Sequence, residues 1–296
     1  MHDVSAKYEA LLDKIAVFAH EREDIRAVLV QGSRARKDMP ADDWSDLDVS
    51  IITTSAEYYI SNETWLSQLG GYWLTFTEDT ALGGNKERRV LFEDGLDVDF
   101  AITPYEMVHY IKTCGVPEDV KYSLGRGFRV LVDKDGVLGE LYSMDMKPAL
   151  PELPSDREYL ELVNDFIYHY VWALKKLNRK EIWAAISCSD GYLKARLLKL
   201  IEWHSWAVNG RDYDTWHAGR FVEKWADPRV AEGLKYSFGH FEQEDILCSI
   251  KQTYKLFRIL AIEVAQKLAY EYPCENEQKV LQWSEENLEK LLRPET

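Results

Sequence analysis

The chain has 296 residues, 46% of them apolar and 29% charged, which suits one large domain or two ordinary ones and excludes disorder as the starting assumption. Its net charge of −15 argues against a polynucleotide partner, which calls for a basic patch, and suits a cationic small molecule. Cys114, Cys188, Cys248 and Cys274 form no CxxC pair, which argues against a zinc site or a disulfide framework. The polar start, MHDVSAKYEA, does not read as a signal peptide, and no apolar run approaches the ~18 residues of a membrane span. A cytoplasmic protein without membrane or nucleic-acid partners is expected. Ten Trp and 17 Tyr are enough to line a pocket for a flat or sugar-like ligand as well as a core.

Tyr8, Leu11, Leu12, Ile15 and Phe18 recur at helical spacing and predict a first helix ending near His20. A strand over 25–31 leads into Gly32-Ser33 and a polar loop, 34–45, before a second strand over 47–53. Residues 55–70 are mixed and predict a helix around Glu63 to Leu69. Tyr72 to Thr77 predicts a strand, a Gly-Gly turn follows at 83–84, and Arg88 to Phe92 predicts another strand. Glu93-Asp94-Gly95 then reads as a hairpin turn into an alternating strand, Leu96 to Ile102. Leu96, Val98, Phe100 and Ile102 share one face of it, and Asp97, Asp99 and Ala101 the other. Pro104 is expected to open a helix through about Lys112, and Phe128 to Val132 to form one more strand. The first 140 residues therefore read as mixed, with about four or five short strands and three helices.

Beyond Pro148, Pro151 and Pro154 strand signals almost vanish. Ser155 and Glu158 have capping-box spacing. Helical periodicity runs through 156–178, 180–208, 218–226 and 243–271, the last carrying Ile246, Ile250, Tyr254, Phe257, Ala261, Val264 and Leu268 on one stripe. Pro273 is expected to end that helix and 276–292 to form a final one. The expected architecture is α+β: a mixed sheet flanked by helices over 1–147, then an all-α bundle over 148–296.

The chemistry sits where the first two strands meet. Asp46 and Asp48 project from one face at the start of the second strand, and two such carboxylates can hold a hard divalent cation. Gly32-Ser33 offers backbone N–H groups without a shielding Cβ, plus a hydroxyl, as a phosphate requires. Phosphate cradle and metal carboxylates together suggest nucleotidyl transfer. Strand parity admits either Asp97 or Asp99 as a third carboxylate.

Gly-Ser, a spacer of twelve residues and Asp-Leu-Asp, with a later Asp on an alternating strand, resembles the nucleotidyltransferase superfamily built on the DNA polymerase β palm. Gly32-Ser33-Arg34, Asp46-Leu47-Asp48, LFEDGLDVDFAITP at 91–104 and LVDKDG at 131–136 more specifically resemble the aminoglycoside 6-adenylyltransferases, which modify streptomycin. The likeness extends to ALKKL at 173–177 and LLKLIEWH at 197–204. It implies ATP as donor, Mg²⁺ as cofactor and transfer of AMP to a hydroxyl of a cationic drug. By the motif, Asp46, Asp48 and Asp99 are metal ligands and catalytic carboxylates. Gly32, Ser33 and Arg34 contact the triphosphate, with Lys175 neutralising phosphate charge from the helical half. Asp190 and Glu202, among Trp183, Tyr192, Trp203 and Trp206, are acceptor-binding candidates; where the family carries an acidic residue earlier in this helix, this chain has Ser187. Competing expectations are transfer to another small hydroxylated molecule or a protein side chain, and a non-catalytic nucleotide-binding protein.

Overall fold

β-Branched and aromatic runs in the first half of the chain assemble into one six-stranded sheet in the computed structural model, which describes residues 4–80, 86–136, 138–139 and 143–291. The expected Gly83-Gly84 turn lies outside the described residues. The strands are β1 (Ile25–Gln31), β2 (Leu47–Thr53), β3 (Tyr72–Asp79), β4 (Lys86–Phe92), β5 (Asp97–Pro104) and β6 (Arg129–Asp133), in the order β3-β4-β5-β2-β1-β6. Helices α1 (Val4–His20), α2 (Ala56–Ser61), α3 (Glu106–Cys114) and α4 (Glu118–Leu124) accompany them. Together they form one compact unit, Met1–Ala149, and the rest of the chain forms a second, Leu150–Thr296. The fold is α+β, and among the described residues no helix is long and apolar enough to cross a membrane.

Every neighbouring pair in the sheet is antiparallel except β2 and β5. Strand β5 is antiparallel to β4, as a hairpin demands, but parallel to β2, the strand bearing the other aspartates. A parallel pair needs a long crossover, and here it contains α2 and the β3–β4 hairpin. Leu47, Val49, Ile51, Val98, Phe100 and Ile102 fill one sheet face against Tyr8, Leu11, Leu12, Ile15 and Phe18 of α1. Trp65 sits edge-on to Phe100, with ring centroids 5.2 Å apart. Period-two geometry sends Asp48 and Asp99 to the opposite face.

Pro104 closes β5 instead of opening a helix: it pairs with Thr53, and the Tyr105 N–H donates to the Thr53 carbonyl. A proline at a strand's end leaves the ladder intact, and α3 starts at Glu106. The six strands among the first unit's described residues coincide with the six segments predicted one by one, so the total of about four or five is an undercount. Helix α4 has no counterpart in the prediction because seven residues hold too few turns to show a period. Residues 55–70 split into α2 and a 3₁₀ turn, Thr64–Gln68.

The second unit contains α5 (Asp156–Asn178), α6 (Ile182–Ser187), α7 (Lys194–Asn209), α8 (Val222–Trp225), α9 (Pro228–Leu234), α10 (Gln243–Leu268) and α11 (Cys274–Leu291). The capping box forms as expected: Ser155 Oγ accepts the Glu158 N–H, and Glu158 Oε2 accepts the Ser155 N–H at 2.8 Å. Phe166 of α5 stacks on Phe257 of α10 at the centre, centroids 3.6 Å apart. The predicted helix over 180–208 is interrupted by a π-turn, Cys188–Leu193. The run over 218–226 shrinks to α8, and α9 is a further short helix outside the predicted runs. Helix α10 ends at Leu268 because Ala269 turns left-handed (φ 58°), whereas Pro273 supplies the carbonyl that opens α11 by accepting the Glu277 N–H.

Candidate active site

The β2–β5 register places Asp48 directly beside Asp99. Asp46 stands one residue before β2, and ligand oxygens of Asp46, Asp48 and Asp99 all lie within 4.8 Å of one another. Asp97 is outside this group: it pairs with Leu91 of β4, while its carboxyl is raised by burial and by Asp46, with Arg89 opposing. Arg89, which sequence reasoning did not single out, sits opposite Asp99 in the β4–β5 register, its Nη2 3.3 Å from Asp99 Oδ2. Strand parity carried that signal, since alternation in β4 turns Arg89 to the face of Asp99.

Asp99 is 7% exposed, and burial pushes its carboxyl up to about 7, with Arg89 opposing and Asp48 reinforcing the shift. Its other oxygen, Oδ1, is buried with no hydrogen-bond partner, an expensive condition for a carboxylate. A divalent cation fits these residues. The donors are all carboxylate oxygens, the chemistry Mg²⁺ prefers, they converge within 4.8 Å, and the orphaned oxygen lacks only a partner.

Next to the carboxylates runs the turn Gly32–Arg34, a single 3₁₀ turn leaving β1. Gly32 has φ +68°, and a Cβ on it would overlap Asp48 Oδ2. Glycine therefore permits the close approach of turn and carboxylate. Ser33 Oγ is buried without a hydrogen-bond partner, which leaves a hydroxyl donor unused in this turn. Arg34 turns to its own chain: Nε donates to the Asp46 carbonyl (3.0 Å) and Nη2 to the Ser45 carbonyl (2.6 Å).

A model of the streptomycin adenylyltransferase family matches residues 6–287. The chain belongs to that family. It is accordingly an enzyme of the nucleotidyltransferase type. It is similar to the aminoglycoside 6-adenylyltransferase of Bacillus subtilis (strain 168), 26% identical over 271 residues, 90% of this chain and 92% of that one. The protein of the same name from Campylobacter jejuni is 26% identical over 277 residues, 90% of each chain. Among solved structures, that of an aminoglycoside 6-adenyltransferase from Bacillus subtilis is 23% identical with a TM-score of 0.44, covering 93% of this chain and 96% of that one.

The remaining candidates of this family member lie in the second unit. Lys175 is on the last turn of α5, its ammonium 5.2 Å from the Trp283 ring centroid. Asp190 lies in the π-turn, with Oδ1 3.6 Å from the Lys194 ammonium, beyond hydrogen-bond reach. Lys194 is itself largely buried and donates to Thr253 Oγ1 at 2.8 Å; burial pushes its pKa down to about 8, against the pull of Asp190. Glu202 is half-buried on α7, and burial pushes its carboxyl up to about 7 with Lys199 opposing.

Proposed function

We propose that this enzyme transfers AMP from ATP to a hydroxyl of an aminoglycoside, with streptomycin as acceptor and Mg²⁺ as cofactor, in the cytoplasm. The observation that carries this reading is the convergence of Asp46, Asp48 and Asp99 beside the Gly32–Arg34 turn. Phosphoryl-type transfer is catalysed chiefly by positioning and charge stabilisation, so carboxylates beside a phosphate-sized cradle are the parts it needs. Bound Mg²⁺ neutralises triphosphate charge and orients the reacting oxygens. In this assignment Asp46 and Asp48 hold the cation, while the N–H groups of the turn and Ser33 Oγ receive phosphate oxygens. Asp99 offers its unpartnered oxygen as a further ligand or as the base that takes the acceptor's proton. Lys175 is assigned to the phosphates on the resemblance alone, and Asp190 and Glu202 are the carboxylates assigned to the cationic acceptor.

The test is incubation with Mg²⁺, ATP labelled on the α-phosphate and a panel of aminoglycosides. Labelled streptomycin with release of pyrophosphate is the expected product, abolished by chelation of the cation. Transfer to a different acceptor, with every aminoglycoside unlabelled, would overturn the choice of acceptor and leave the donor side standing.

A further inference from the structure

We infer that Arg34 acts as a positioning residue that sets Asp46, rather than as a contact for the triphosphate; this rests on the reading that Asp46 holds the cation. Asp48 and Asp99 lie within paired strands, so the sheet itself fixes their Cα positions. Asp46 has no such support. It terminates a long polar loop, one residue ahead of β2.

Arg34 supplies what the ladder does not. Its guanidinium forks onto two consecutive carbonyls, those of Ser45 (2.6 Å) and Asp46 (3.0 Å), and so fixes the peptide that carries the Asp46 side chain. The guanidinium carbon lies 3.5 Å from the ring centroid of Tyr8, which is only 3% exposed. The Tyr8 hydroxyl in turn accepts the Asp97 N–H at 3.1 Å. One strut thus runs from the start of β5 through α1 to the residue before β2, bracing the carboxylate group at its least supported member.

The geometry uses what distinguishes arginine from lysine: a planar fork that can meet two acceptors while lying flat on an aromatic face. A phosphate contact has a different requirement, because lysine also binds phosphate well, as a point charge. The two readings therefore diverge for Arg34→Lys and Arg34→Gln.

The experiment measures binding of a non-hydrolysable ATP analogue with and without Mg²⁺, together with the Mg²⁺ concentration for half-maximal binding and turnover. The expected result is unchanged binding without cation in both variants. Both should raise the half-saturating Mg²⁺ concentration by about 10–100-fold, the usual cost of losing a group that orients a metal ligand. Tyr8→Leu, which removes the ring beneath the guanidinium and keeps Arg34, should shift the Mg²⁺ response in the same direction. Thermal unfolding of each variant reports the fold. Wild-type behaviour of Arg34→Lys, with cation-independent loss of nucleotide binding in Arg34→Gln, overturns the inference. Asp46→Asn separates the two levels. If it alone blunts the Mg²⁺ response, the inference fails and the metal reading survives; if the response is unchanged even there, both fail.

Discussion

At the scale of single residues, Gly32 makes the closest approach to a neighbour among the described glycines, against Asp48. Gly32 has φ +68°, and a Cβ there would overlap Asp48 Oδ2. Gly32→Ala should therefore cost about 1–2 kcal/mol of stability from the left-handed backbone alone, and should also displace a carboxylate of the proposed metal site. A denaturation midpoint and a transfer assay check both effects, and wild-type activity in a folded Gly32→Ala protein would contradict this account. Asp48→Asn makes the complementary change, deleting charge while keeping shape. It should abolish transfer and leave the unfolding temperature close to wild type or higher, because it relieves repulsion against Asp99. Glu202 gives the pH test. Burial raises its carboxyl to about 7, so between its ordinary value and 7 the folded state binds a proton that the unfolded chain does not. That stabilisation is complete at acid pH and is lost as pH rises through about 7. Glu202→Gln should thus gain stability relative to wild type between acid and mildly alkaline pH; a pH-independent difference in melting temperature would place Glu202 in a more solvated setting.

Elements divide by how local their causes are. The strands over 25–31 and 47–53 and the capping box at Ser155 were legible because apolar pattern and cap chemistry lie in adjacent residues. The same holds for the Asp46, Asp48, Gly32 and Ser33 constellation, which one short stretch contains. The parallel pairing of β2 with β5 was not legible, since it depends on a crossover whose path no local pattern encodes. The contacts of Arg89 with Asp99 and of Tyr8 with Arg34 are not legible for the same reason: each side chain meets the site only through tertiary register. Pro273 shows the local rule failing differently, because a proline that follows a helix can equally begin the next. The real terminator of α10 is Ala269 in a left-handed conformation. Replacing Ala269 by glycine relieves about 1–2 kcal/mol of backbone strain but returns up to about 1 kcal/mol through the freer unfolded chain. A net gain between about 0 and 1.5 kcal/mol is expected, while Ser155→Ala, which removes a helix cap, should cost about 1 kcal/mol. Chemical denaturation of the two variants should show these opposite signs.

For the molecule as a whole, the net charge of −15 bears on both proposed substrates at once. A polyanionic protein attracts a cationic acceptor over distances up to the Debye length and repels an anionic nucleotide. That length falls from about 30 Å at 0.01 M ionic strength to about 8 Å at 0.15 M, so only charges close to each site survive the change. The two substrates should therefore respond to salt in opposite directions. Over this range, kcat/KM for a cationic aminoglycoside should fall, whereas kcat/KM for ATP at saturating Mg²⁺ should hold or rise. Varying NaCl while fixing one substrate at saturation separates the two responses. An uncharged hydroxylated acceptor predicts a flat first curve with the second unaltered. A parallel decline in both curves would mean that general destabilisation, not the field of the acidic surface, governs the salt dependence.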